Sequence, residues 1–329
     1  MPVARLTGLT RFSSFVAHFH KQYKLVDISP LHFTESTSQK SVCYCDTVNI
    51  SLPEGKRLDL GIELPRKVPE YKRHVLLVSP RNDDNSPPEW KASWQSKLEL
   101  NPSWPYSSIF TLKNHLKKSI TGSEILVNAI SMIRGDIHPP EKYDKRVHFY
   151  VLPDMKLFKI TKDQISEFAH FLSGGSSFNA TRNNMLHFED FLKGADNASI
   201  QQISREVSSS FDKSRLEYEY IVGDWALICG HYQRDPRCGI VGEDLIKEIQ
   251  SRNICKDKNV GVISHIGGHK YAGNIIFYNH AGFSEVSQRS KVDALWFGKV
   301  LPTNLPLLVE NLNNYKITKS LYRGGLQMD

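Results

Sequence analysis

Two stretches of this chain carry the same order of apolar runs, and that order limits the fold more than any other property. From Arg73 onward, HVLLVS has the continuous apolar character of a buried strand, SSIFTLKNHLKKS that of a helix and EILVNAISM that of a strand. VHFYVLPDMKLFKI then reads as two strands about Pro153. A helix is predicted from Thr161 through Phe171, with Gln164 placed for a capping box and Gly174 for the stop. The order returns in DWALIC (strand), GEDLIKEIQSR (helix), NVGVIS, GNIIFY and ALWFGKV (strands) and NLPLLVENLNN, a closing helix whose early Pro306 is tolerated in a first turn. Helices alternating with strands in this way predict an α/β protein.

The repeated unit is β-α-β-β-α, and each copy resembles a thioredoxin-like lobe, the first being a degenerate copy of the second. Laying HVLLVS on WALIC places Ser79 where Cys229 stands, so the first lobe is expected to carry the fold without the second lobe's chemistry. With 329 residues there is enough chain for two cores. The expected division is a leader over 1–30, an extended segment with short strands at best over 31–71, the degenerate lobe over 72–174, a linker with short helices over 175–215 and the second lobe over 216–329. The leader carries Arg5, Arg11, Lys21 and Lys24 with no acid before Asp27. Leu6, Leu9, Phe12, Val16 and Phe19 recur at helical spacing along it, which is the pattern of a mitochondrial transit peptide. A basic, unstructured arm is the alternative.

Composition excludes several classes. No apolar run approaches the roughly 18 residues of a membrane span. The net charge of +7 is modest for this length, and no nucleic-acid motif accompanies the basic leader. Five cysteines, an odd number in a long chain, fit a thiol-controlled compartment better than a disulfide framework. Nucleotide-binding glycine loops, hydrolase triads and flavin fingerprints are all missing, so any redox chemistry would draw on an external electron donor.

The chemistry concentrates in ICGHYQRDPRCG and ISHIGGHKYAG. Cys229 and Cys238 are spaced so that a short loop can present both thiolates to one metal. His265 and His269 stand in a glycine-rich turn able to aim two imidazoles at a neighbour. Three readings share these residues. The first is a two-iron cluster with two imidazoles replacing two thiolates, as in Rieske centres. The second is a tetrahedral Cys2His2 zinc site that contributes folding free energy to an adaptor without redox activity. In the third there is no metal, Cys229 is a core thiol and the histidines are hydrogen-bonded loop residues. In the first reading the formal charges sum to zero where an all-cysteine cluster is negative, so the potential should be higher, and imidazole N–H groups allow proton-coupled electron transfer. Arg234 and Arg237 lie between the cysteines, where positive charge would favour thiolate and reduction. His231, Tyr232 and Arg323 are candidate docking groups for a redox partner. Cys43 and Cys45 form a separate C-x-C, a candidate thiol/disulfide pair for exchange with client cysteines.

These strings, with ALWFGKV, the terminal YRGG, CYC at Cys43 to Cys45, HVLLVSP and VLPDMKLF, resemble the sucrase/ferredoxin-like family of thioredoxin-like ferredoxins over nearly all the chain after the leader. The resemblance implies a 2Fe-2S cluster held by Cys229 and Cys238 on one iron and by His265 and His269 on the other. It further implies residence in the mitochondrial matrix or intermembrane space and a part in thiol and redox homeostasis. Redox-active protein clients would include import or oxidative-folding components. The expectation is an electron-transfer or oxidoreductase-like protein rather than an enzyme with its own substrate pocket. Cys255 belongs to no part of this pattern.

Overall fold

The computed structural model describes residues 15–16, 19–27, 44–80, 98, 101–119, 121–141, 144–174, 216–285 and 289–329. The expected linker over 175–215 and Cys43 lie outside the described residues. The first half contributes strands β3 (Arg73–Val78), β4 (Ile125–Arg134), β5 (Val147–Leu152) and β6 (Lys156–Ile160), with helices α2 (Ser108–Leu116) and α3 (Ile165–Leu172). The second contributes β8 (Asp224–Cys229), β9 (Lys258–Ile263), β10 (Ile275–Ser284) and β11 (Arg289–Phe297), with α4 (Pro236–Ser251) and α5 (Leu305–Asn313). In each half the first strand runs parallel to the second and antiparallel to the third, which is antiparallel to the fourth. The spatial order second-first-third-fourth therefore occurs twice.

The two halves are one sheet. β4 and β9, the second strand of each half, pair antiparallel with Ile130 opposite Ile263, giving ten strands in the order β13-β11-β10-β8-β9-β4-β3-β5-β6-β7. The outer members are β7 (Tyr218–Tyr220), against β6, and β13 (Tyr322–Met328), against β11. β7 thus joins the first half although it follows residue 216, where the second lobe was expected to begin. Every residue of β3, β5 and β9 is buried, because strands central to a sheet are covered on both faces and so read as unbroken apolar runs. Side chains on one face of the sheet form two clusters, Val75, Leu77 and Phe149 with α2 and α3, and Ala226, Ile228 and Phe277 with α4 and α5. The other face carries a third, continuous cluster that spans both halves and includes Leu76, Tyr150, Trp225 and Trp296.

Residues 1–14 of the expected leader lie outside the described residues, and the part that is described is not helical. Phe15–Val16 (β1) and Tyr23–Val26 (β2) are strands, and β2 runs parallel to β12 (Lys316–Thr318) in a small separate sheet. Tyr23 is fully buried, and the backbone N–H groups of His20 and Lys21 donate to the Asp293 carboxylate at 2.8 and 3.0 Å. A leader ending at residue 30 would remove this strand, so the folded body begins no later than Phe19. Tyr44–Ser51 forms helix α1 where loop or strand was expected.

The expected equivalence of Ser79 and Cys229 is out by one residue. Val78 closes the β3–β4 ladder opposite Ile130 as Cys229 closes the β8–β9 ladder opposite Ile263, and both face the shared cluster. Ser79 N–H donates to the Ile130 carbonyl as Gly230 N–H donates to that of Ile263. Val78 therefore takes the place of Cys229, because a slip of one residue turns a strand's side chains to the opposite face.

Candidate metal centre

Three segments of the second half meet at the carboxyl end of β8. Cys229 is its last residue. The chain then turns through Gly230 and His231 and enters α4 with Asp235 as N-cap, Pro236 at the first helical position and Cys238 in the first turn. Asp235 accepts from the Arg237 backbone N–H at 3.1 Å, which satisfies one of the donors a helix start leaves unpaired. The cysteines were expected in a loop; Asp-Pro at N-cap and N1 is the sequence signal that places Cys238 in a helix instead. The third segment joins β9 to β10 and carries His265, Gly267, Gly268 and His269, with a single 3-10 turn over His269–Tyr271. Gly268 has φ of +73° and Gly273 of +82°, left-handed values that glycine adopts without strain.

All four expected ligands come together here. Both sulfurs are buried, and both imidazoles are half-buried with their ring centroids 5.5 Å apart. The Cys238 thiol donates to the Cys229 sulfur, which the His265 ring and the backbone N–H groups of His231 and Ile266 also approach, and these donors hold Cys229 well below the usual thiol range. The same hydrogen bond, with burial, pushes Cys238 up, so the pair readily gives up one proton and resists losing the second. Burial also lowers His269, against the pull of Asp235 and with the help of His265. His231, expected at the surface, is buried and accepts the His265 backbone N–H at its Nδ1, 3.2 Å away.

The first half braces the histidine loop. Asn128 of β4 donates through Nδ2 to the Ser264 hydroxyl at 2.8 Å and to the His265 carbonyl at 3.1 Å. Its Oδ1 faces His74 Nε2 at 3.0 Å, and His74 Nδ1 meets the Tyr278 hydroxyl at 2.6 Å. Tyr278 continues to Tyr71 and Trp296. This buried chain was not evident in the sequence, because it joins residues from both halves.

Several expected roles change. Arg237 does act to lower the Cys238 thiol, but not as a free cation: its guanidinium also holds Asp235 in a two-pronged ion pair at 2.9 and 2.8 Å, and Lys56 adds a contact at 3.7 Å. Burial raises the Asp235 carboxyl while the Arg237 hydrogen bonds lower it, and the hydrogen bonds prevail. Arg234 and Tyr232 are exposed, as docking groups must be, whereas Arg323 is buried. Cys45 is buried in the first turn of α1 and packs in the core of the second half. Cys255 is a buried thiol pushed up to about 12, with desolvation the largest cause.

The donor set fits a metal group. Nδ1 of His265 and Nδ1 of His269 are both buried without a hydrogen-bond partner, a costly condition that ligation would relieve. Among the described residues no three His, Cys, Asp or Glu side chains converge as ligands of a single ion. The Cys229 and Cys238 sulfurs lie against each other, and the His265 and His269 rings stand side by side.

A family description, sucrase/ferredoxin-like, matches residues 64–324. The chain is 40% identical over 314 residues to "Altered inheritance of mitochondria protein 32" of Saccharomyces cerevisiae, covering 95% of this chain and 96% of the relative. The protein of the same name from Saccharomyces kudriavzevii is also 40% identical over 95% of this chain and 96% of its own length. No solved structure matches. A match across both halves of the sheet and all four clustered donors, together with relatives aligned almost end to end, means that the chain belongs to the sucrase/ferredoxin-like family.

Proposed function

We propose that this chain is a mitochondrial redox protein that holds a 2Fe-2S cluster through Cys229 and Cys238 on one iron and His265 and His269 on the other. The observation that carries the reading is the meeting of two adjacent buried sulfurs with two imidazoles whose Nδ1 atoms are buried and unpartnered. Such a cluster supplies one-electron transfer when bound. The chain's own residues do the rest. Asp235 fixes the start of α4 and thereby the Cys238 sulfur, the His231 and Ile266 amides stabilise the Cys229 thiolate, and Asn128 holds the His265 carbonyl from the other half. The repeated strand order supports reading each half as thioredoxin-like, the second as the ferredoxin. The name of the relatives supports a mitochondrial role, and the electron donor and thiol-bearing clients would dock where Tyr232 and Arg234 are exposed. Among the described residues no helix is long and apolar enough to cross a membrane.

Anaerobically purified protein should be red-brown, contain iron and acid-labile sulfide in equal amounts and give an electron paramagnetic resonance signal on reduction. Colourless protein with bound zinc and no sulfide would establish the adaptor reading instead. Replacing both histidines by cysteine should lower the potential and flatten its dependence on pH, because imidazole N–H groups couple proton loss to oxidation. An unchanged pH slope would count against that coupling.

A further inference from the structure

Arg323 is the one residue of β13 that the ladder does not use. β11 pairs Trp296 with Gly324 and Phe297 with Tyr322, so Arg323 is the extra residue of a β-bulge, a device that re-aims a side chain. It is only 5% exposed, and its guanidinium lies over the Trp296 ring, 5.8 Å from the centroid. Nη1 donates to Asn274 Oδ1 at 2.7 Å, and Nε is buried with no partner. The same side-chain amide donates through Nδ2 to the Gly268 carbonyl at 2.9 Å, while the backbone carbonyl of Asn274 accepts the Cys229 N–H at 3.0 Å, so one residue ties the arginine to both ligand-bearing segments. A Cβ on Gly268 would fall 2.6 Å from Nη1, which places the guanidinium against the His265–His269 turn.

Among the described residues no carboxylate lies within 4.0 Å of this guanidinium. A buried cation without a counter-anion is expensive, and burial does pull Arg323 down from the ordinary arginine value. Negative charge on Tyr271, Cys229 or Cys238 would pull it back up, and of these groups the Cys229 sulfur is the one held well below its ordinary value.

We propose that Arg323 is the counter-charge of the cluster site, a positioning residue delivered by the β-bulge that makes the loaded site easier to reduce. The inference rests on the function proposed above. Reduction, by the external donor, would add one electron to one ferric iron; at a pH below that at which the imidazoles lose protons no proton moves with it, and the site becomes one unit more negative beside a fixed positive charge.

The test is a dithionite titration, with redox mediators, of the full-length protein and of Arg323→Gln and Arg323→Lys, followed by electron paramagnetic resonance. At the wild-type midpoint, Arg323→Gln should show a reduced-to-oxidised ratio about tenfold lower, equivalent to about 59 mV for one electron. Arg323→Lys should stay close to wild type. Equal midpoints for wild type and Arg323→Gln at equal iron and sulfide content overturn the proposal. Should Arg323→Gln fail to retain iron, metal-free Arg323→Met decides. An unfolding temperature at or above that of metal-free wild type supports a charge kept for the loaded site, and a lower one shows a merely structural arginine and overturns it. Wild-type protein without iron or sulfide would defeat the underlying function, whereas equal midpoints defeat only the role of Arg323.

Discussion

His74 shows what a single buried group costs. Burial, only partly offset by the Asn128 hydrogen bond, lowers its pKa to about 3 from 6.5. Between those values the unfolded chain binds a proton that the folded chain refuses, so this contribution to stability is complete above pH 6.5 and shrinks as the pH falls towards 3. Counting His74 alone, the loss reaches about 5 kcal/mol. Urea midpoints measured from pH 7 to pH 4 should fall accordingly, and His74→Gln, though weaker at pH 7, should show a flatter profile. Gly273 sets a second limit: a Cβ there would lie 1.9 Å from the Val300 carbonyl oxygen, at a φ of +82°. Gly273→Ala should therefore cost about 3 kcal/mol or more in chemical denaturation, through a clash added to left-handed strain. At this scale the four candidate ligands were legible, because reactive residue types at short spacings announce themselves. Arg323 was misplaced on the surface, because only the register of β13 against β11 turns it inward.

Helix α4 is where the candidate centre depends on secondary structure. Asp235→Ala removes an N-cap, worth about 1 to 2 kcal/mol, and leaves the buried Arg237 guanidinium without its anion, so the total should approach about 3 kcal/mol. Asp235→Ser restores the cap but not the ion pair and should recover only part of the denaturant midpoint. Both variants should release the iron of the proposed cluster to a chelator faster than wild type, because Cys238 sits in the loosened turn. The core strands were readable from their apolar runs; the Thr161 backbone N–H donates to Gln164 Oε1 at 3.0 Å, one half of the expected capping box, but the helix begins only at Ile165, with Gln164 as its N-cap. The short strands β1, β2, β7 and β12 were not readable, nor was the seven-residue β13. Three of them have two or three residues, too few to show a period, and all are held by their partners rather than by their own pattern. The start of α4 was missed because Asp-Pro serves equally well in a turn and at a helix entry.

For the whole molecule, the chain's early residues matter more than their leader-like composition suggested. A variant that begins at Asp27 lacks β2 and the fully buried Tyr23; burial of that ring alone is worth roughly 2 kcal/mol, so a clearly lower thermal midpoint is expected. The repeated order of elements was legible, since each copy contains its own periodicity. Their fusion into one sheet was not, because an edge-to-edge union rests on main-chain hydrogen bonds that leave almost no mark on side-chain pattern. That union also limits how the protein can be divided. Severed from its twin, the carboxyl-terminal portion would bare the peptide groups of β9 as an adhesive margin, and the nearest surface shaped to accept them would be the same margin on another molecule. Expressed by itself, that fragment should pair with itself or form fibres, and sedimentation would show whether one service of the first half is to occupy a sticky border.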